Sequence, residues 1–270
     1  MIVKNVVDLI IRSCNTTISL PKTCDLLMAG NWDTEVTGIT ITFMATIDVI
    51  NETISRGANL IITHEPTYFT GWDTTEWLQN DEVYLRKKKL IEENGINIWR
   101  FHDHMHMTRP DLIYVGLNKE LGWGKYNLPE KPHCYTIPAT TAEELSTFLK
   151  EKLNVKVVQI VGKKESRVER VGFLVGGSSL GLGSEQMPME LMRNENLDVV
   201  VCGEIVEWTL CAYVRDASQL GLNKSMIILG HNRTEEVGMK YLPDWLRTMM
   251  PEMPVWFVEA GEPFTYLCKK

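Results

Sequence analysis

Positive charge is in deficit in this chain of 270 residues: 28 Lys and Arg against 35 Asp and Glu leave a formal net charge of −7. Phosphate-rich partners are gripped by a basic face, so the balance disfavours a general binder of nucleic acid or anionic membrane. Long apolar runs are missing too, and nothing approaches the roughly 20 consecutive apolar residues of a membrane-spanning helix. In the opening MIVKNVVDLIIRSCN the apolar stretch is broken by Lys4, Asp8 and Arg12, unlike the uninterrupted centre of a cleaved leader. Its Val3, Val6, Val7, Ile10 and Ile11 recur at helical spacing and predict an amphipathic first helix. A cytoplasmic protein is expected. The six cysteines (Cys14, Cys24, Cys134, Cys202, Cys211 and Cys268) form no C-x-x-C pair. That argues against a zinc ribbon or a disulfide framework and predicts buried free thiols, with any metal held by nitrogen and oxygen.

What is present is ordinary globular material: 44% hydrophobic and 23% charged residues, enough for one large domain or two small ones. Short β-branched runs alternate with segments of helical period, the pattern of an α/β sheet with crossover helices. The predicted strands are 36–44, 59–64, 96–102, 155–161, 168–176, 198–202, 226–230 and 254–258. The predicted helices are 46–55, 82–93, 110–121, 142–153, 204–220 and 234–249. The Gly- and Pro-bearing stretch GKYNLPEKP at 124–132 reads as a linker between an N-terminal lobe, 1–124, and a C-terminal lobe, 125–270. In that division 251–270 is free to return to the first lobe. The loop GGSSLGLGS at 176–184 lacks both the Walker lysine and the dinucleotide spacing, so it reads as a turn permitting close backbone approach. Thr140 or Thr141 followed by Glu143 and Glu144 marks a helix start, and the lysine runs 87–89 and 163–164 read as solvated surface.

Histidine is scarce, six in all, and its placement is informative. His64 follows ANLIIT, His102 follows NIWRF, and His231 follows SMIILG; a fourth strand-like run, DVVVCG, ends in Glu204. In open α/β sheets ligands bind beyond the carboxyl ends of strands. If these strands are parallel neighbours, their terminal side chains converge. Glu65 follows His64; Asp103, His104 and His106 follow His102; and Glu235 stands one helical turn after His231. A lone histidine at a strand end is usually just a hydrogen-bonded residue. Three such clusters at one topological position in a histidine-poor chain favour metal, and the size of the donor pool favours two ions. Glu204 and Glu207 are candidates for a general base, or for the residue that pins a ligand histidine, since a charged residue beside a cation needs no catalytic purpose. Trp72, Trp77, Trp208 and Tyr68 are candidate walls of a pocket for a planar substrate, although tryptophans suit subunit contacts as well.

At these residues the chain resembles the Nif-three-like proteins, a family also labelled GTP cyclohydrolase I type 2. The run from Asp48 through ANLIITHEP resembles the family's first signature, and ILGHNRTEEVGM with WFVEAGEPF resembles its closing one. VCGEIVEW and VGFLVGGSSLG fit in order and spacing. The resemblance implies two related α/β lobes with mixed or mostly parallel sheets and a metal cleft between them. It also implies two divalent ions per chain (zinc, manganese, iron, nickel or cobalt) and a homo-oligomer, commonly a hexameric ring. His64, His231 and Glu235 would be metal ligands. Most relatives carry two consecutive histidines where this chain has His64 and Glu65, which puts a carboxylate where an imidazole is usual. The family's central histidine is followed four residues later by an aspartate ligand, whereas here His102 is followed at that spacing by His106. The middle ligand therefore stands open among Asp103, His104 and His106, with Asp111 a remote fourth choice. The function implied is metal-dependent hydrolysis of a small molecule, and the alternative is a metal- or partner-binding scaffold without catalysis.

Overall fold

A computed structural model describes residues 1–14, 16, 22–128 and 130–267. The chain is α/β as expected and divides into two compact units. The first comprises residues 1–116 and 238–261, the second 117–237 and 262–270. The division thus falls inside a helix at 116/117 rather than at 124/125, and the segment counted with the first unit begins at 238 rather than 251. The stretch read as a linker instead holds part of a hairpin in the second unit.

The first unit opens on α1 (Val3–Ser13), which buries Val3, Val6, Val7 and Ile10, as its periodicity predicts. There follow β1 (Leu27–Ala29), β2 (Ile39–Thr42), α2 (Ile47–Ser55), β3 (Leu60–Thr63), α3 (Glu82–Glu93), β4 (Asn97–Arg100), α4 (Asp103–Met107) and α5 (Leu112–Leu121). Thr46 and Asp81 cap α2 and α3 by accepting from Val49 N and Tyr84 N. Every residue of β2, β3 and β4 is buried, the signature of parallel strands covered on both faces.

In the second unit come β5 (Asn127–Leu128), β6 (Lys131–Thr141), α6 (Ala142–Lys152), β7 (Gln159–Val161), β8 (Arg167–Leu174), α7 (Met187–Asn194), β9 (Val199–Cys202), α8 (Leu210–Gln219) and β10 (Ser225–Ile228). Then α9 (His231–Arg247) begins, and β11 (Val255–Phe257) belongs to the first unit. A capping box between Thr141 and Glu144 starts α6. Two helix starts move from their expected places. α8 begins at Leu210, leaving 204–209 as loop, and α9 begins at His231 straight after Gly230, whose φ is +97°.

The first sheet runs β1-β4-β3-β2-β11, parallel except for β1 at its edge. The second runs β5-β6-β8-β9-β10-β7, with β8, β9 and β10 parallel and the rest antiparallel. Each unit has its own apolar core, around Ile50, Ile61 and Ile98 in the first and Met192, Val200 and Val214 in the second. Cys14, Cys24, Cys134 and Cys202 are buried free thiols and Cys211 is half-buried; Cys268 lies outside the described residues. No helix among the described residues is long and apolar enough to cross a membrane.

Candidate metal centre

The strand ends do bring histidines and acids together, in two pairs of strands belonging to different sheets rather than in one row. β3 and β4 are parallel neighbours with Thr63 opposite Arg100, so His64 and His102 leave the same edge of the first sheet. His64 and Glu65 donate their backbone N–H groups to Phe43 O, at 3.1 and 2.9 Å, which fixes the turn out of β3. The His64 ring is fully buried and stacks on His102 with centroids 4.6 Å apart; His106 stands edge-on, 5.0 Å from His64 and 4.9 Å from His102. One donor atom from each of these three imidazoles can be chosen so that all lie within 4.8 Å of one another.

The three rings are oriented by the same device. His64 donates from Nδ1 to Phe101 O (3.2 Å), His102 to Asp103 Oδ1 (3.0 Å) and His106 to Asp111 Oδ2 (3.0 Å). A histidine whose Nδ1 carries the proton presents Nε2 as its metal-binding lone pair, and an acceptor on Nδ1 fixes both tautomer and ring orientation. Three imidazoles held in this way fit a nitrogen-binding divalent ion.

Asp103 and Asp111 thus each accept from a ring Nδ1, and His104 is turned elsewhere. Its Nδ1 donates to Asp25 Oδ2 at 2.7 Å. Asp25 also accepts from the backbone of His102 (2.7 Å), Asp103 (2.8 Å) and His104 (2.9 Å), and its side chain is 1% exposed. One carboxylate thus satisfies the donors that open α4, the helix carrying the histidines. Asp103 is in turn gripped by Thr23 Oγ1 (3.0 Å), Cys24 N (2.9 Å) and Cys24 Sγ (3.2 Å). The hydrogen bond from His102, helped by those from Cys24 and Thr23 and opposed by partial burial, holds the Asp103 carboxyl well below the usual carboxylate range. Sequence reasoning missed Thr23, Cys24 and Asp25, which stand nearly eighty residues from their partners with no motif linking them. The three-imidazole group holds no sulfur, and Cys24 belongs to a separate group with His102 and Asp103.

The second unit carries the other donors. β9 and β10 are parallel with Cys202 opposite Ile228, so Glu204 and His231 leave one edge of the second sheet. His231 donates from Nδ1 to Glu204 Oε1 at 2.9 Å, while its Nε2 lies 2.8 Å from Glu235 Oε2, one turn along α9. Glu235 is 3% exposed. The glycine-rich loop makes room for this pair. A Cβ on Gly176 would fall 2.0 Å from Glu235 Oε1 and 2.8 Å from His231 Nε2, and Gly176 N donates to Thr234 Oγ1 at 2.9 Å. Gly203 packs as closely on the Gly176 backbone. Glu207 and Trp208 are exposed on the loop after β9. Of the other proposed pocket walls, Trp72 and Trp77 are exposed, whereas Tyr68 is buried in the first core, edge-on to Tyr84.

The family model described as Duf34/NIF3 (NGG1p interacting factor 3) matches residues 3–263. A protein of Clostridium acetobutylicum named "GTP cyclohydrolase 1 type 2 homolog" is 25% identical over 220 residues, 77% of this chain and 76% of its own length. One of the same name from Clostridium perfringens is 22% identical, covering 89% of this chain and 90% of its own. The crystal structure of a Bacillus cereus protein related to NIF3 superimposes with a TM-score of 0.73 at 15% identity, covering 99% of both chains.

Proposed function

Because this chain belongs to the Duf34/NIF3 family, we propose that it holds a dinuclear divalent-metal centre and hydrolyses a small molecule with it. The observation that carries the reading is the set of three imidazoles in the first unit, each with Nδ1 held by its own acceptor. In this reading His64, His102, His106, His231 and Glu235 are ligands, with Glu65 supplying a further carboxylate. Asp103, Asp111 and Glu204 orient His102, His106 and His231. Nitrogen and carboxylate donors admit zinc, manganese, iron, nickel or cobalt. When bound, such ions lower the pKa of water and polarise a carbonyl, phosphoryl or ring carbon. Glu204 is the acid–base group of choice over Glu207, because it touches a ligand histidine while its side chain stays 45% exposed to exchange a proton.

The name shared by the curated relatives makes opening of the guanine ring of GTP the first version to test. Elemental analysis of unchelated protein should find two divalent ions per chain, lost in a His64→Ala, His231→Ala double variant. The loaded protein is then offered GTP, phosphoesters and amides. Turnover absent from the variant supports hydrolysis; metal without turnover of any of them removes it. In that event the scaffold reading gains, and the carboxylate of Glu65, where the family resemblance implies an imidazole, already favours it. A homo-oligomer, with six chains as the expected number, belongs to the same proposal and is read by light scattering.

A further inference from the structure

Cys24 is a donor beside His102 that the proposed centre does not use. We propose that Cys24 Sγ, Asp103 Oδ1 and His102 Nδ1 form a second, sulfur-containing metal position that competes with the three-imidazole set for His102. The proposal rests on the reading of His64, His102 and His106 as ligands, and names a rival occupant of one of them.

The geometry carries it. The Asp103 carboxylate is anchored through Oδ2, which accepts from Thr23 Oγ1 at 3.0 Å and from Cys24 N at 2.9 Å. Its other oxygen, Oδ1, accepts two hydrogen bonds at once, from Cys24 Sγ at 3.2 Å and from His102 Nδ1 at 3.0 Å. Donors of all three residues can be drawn within 4.8 Å of one another. A tetrahedral ion with bonds of about 2.0–2.3 Å keeps its donors about 3.3–3.6 Å apart. The S···O and N···O distances here fall a few tenths of an ångström short of that, so a cation replaces the two protons with a small outward movement. Cys24 is buried, but the side chains of His102 and Asp103 are 29% and 27% exposed, which leaves a solvent side for entry and for a water ligand.

The proton balance defines the competition. Binding releases the Cys24 thiol proton to water, and His102 stays neutral by carrying its proton on Nε2 instead of Nδ1. That tautomer no longer offers Nε2 to the imidazole set, so one neutral His102 serves one position at a time. A thiolate favours zinc, cobalt or cadmium over manganese, so the two positions differ in the ions they select.

Cobalt(II) is the probe, because a thiolate ligand gives a near-ultraviolet charge-transfer band that nitrogen and oxygen ligands do not. The expected result is a weak band in the intact protein, a several-fold stronger one in His106→Ala, where the rival set is broken, and its loss in His106→Ala combined with Cys24→Ser. Absence of the band from both the intact protein and His106→Ala overturns the proposal, as does its persistence after Cys24→Ser. Manganese should leave the band absent in every protein. If Cys24→Ser does not fold, His64→Ala decides, since it too must strengthen the band. Failure of the parent reading looks different: the intact protein then takes up no cobalt in a nitrogen ligand field.

Discussion

At Gly176 a missing side chain is what lets two donors meet. Its φ of +52° suits glycine, and the space a Cβ would take is filled by the ends of Glu235 and His231. Both are side-chain tips that can move aside. Gly176→Ala should therefore cost about 1–2 kcal/mol in stability, from the left-handed backbone, while breaking the His231–Glu235 contact. Metal content should fall much further than urea midpoint, and a matching fall in both would sink the argument. Lys87 makes the opposite case, a charge kept where burial opposes it. It is 6% exposed, its Nζ donates to Thr67 O at 2.7 Å, and burial pushes its pKa down to about 8 against the pull of nearby Asp73. Between about pH 8 and about pH 10.4 the unfolded chain holds this proton and the folded chain does not, so this group's contribution to stability rises with pH across that window by up to about 3 kcal/mol. Below it this group contributes no slope. Denaturation curves taken at the two ends of the window should show the intact protein gaining on Lys87→Met by this amount, the buried thiols, whose pKa values are pushed up, acting alike in both.

Among the elements, α4 depends most on a residue outside itself. Five residues make too short a helix to persist alone, and its opening N–H groups are satisfied by Asp25 from the segment before β1. Asp25→Ala leaves these part-buried donors unpaired and should destabilise the fold by roughly 1–3 kcal/mol. It should also release His102 and His106, so that metal is lost even where urea curves show the folded state fully populated. The contrast with the strands explains what could be read in advance. The apolar runs before His64, His102, Glu204 and His231 are local patterns, and β3, β4, β9 and β10 stand where those runs are. The pairing of His231 with Glu235 is equally local, one turn of helix. Asp25 and Cys24 gave no such signal, because their contacts with Asp103 exist only once β1 pairs with β4. β1 is three residues long and α7 eight, with Pro188 in its first turn, and neither has enough period to announce itself. The Gly124–Pro132 stretch misled because a hairpin and a linker share the same turn-forming residues.

For the molecule as a whole, the question is whether donors carried by two units act as one centre. Each unit has its own sheet and core, the first with three oriented histidines and the second with His231 between Glu204 and Glu235, so separate binding by the two is the alternative to test. A ligand that binds only the folded state stabilises it by RT ln(1 + [L]/Kd), about 2.7 kcal/mol at a hundredfold excess over Kd. Independent sites would each keep this increment when the other is removed, and the losses in His64→Ala and His231→Ala would add. Shared ions couple them, and coupled residues depart from additivity by roughly 0.5–3 kcal/mol. The proposed dinuclear centre requires the shared case. Either single variant should abolish most of the metal-dependent rise in Tm, and the double variant should lose little more. Without metal all four proteins should show the ordinary additive pattern, which makes the chelated series the control. Additive losses in the presence of metal would mean two separate sites, and the dinuclear reading would fall while metal binding by each unit stood.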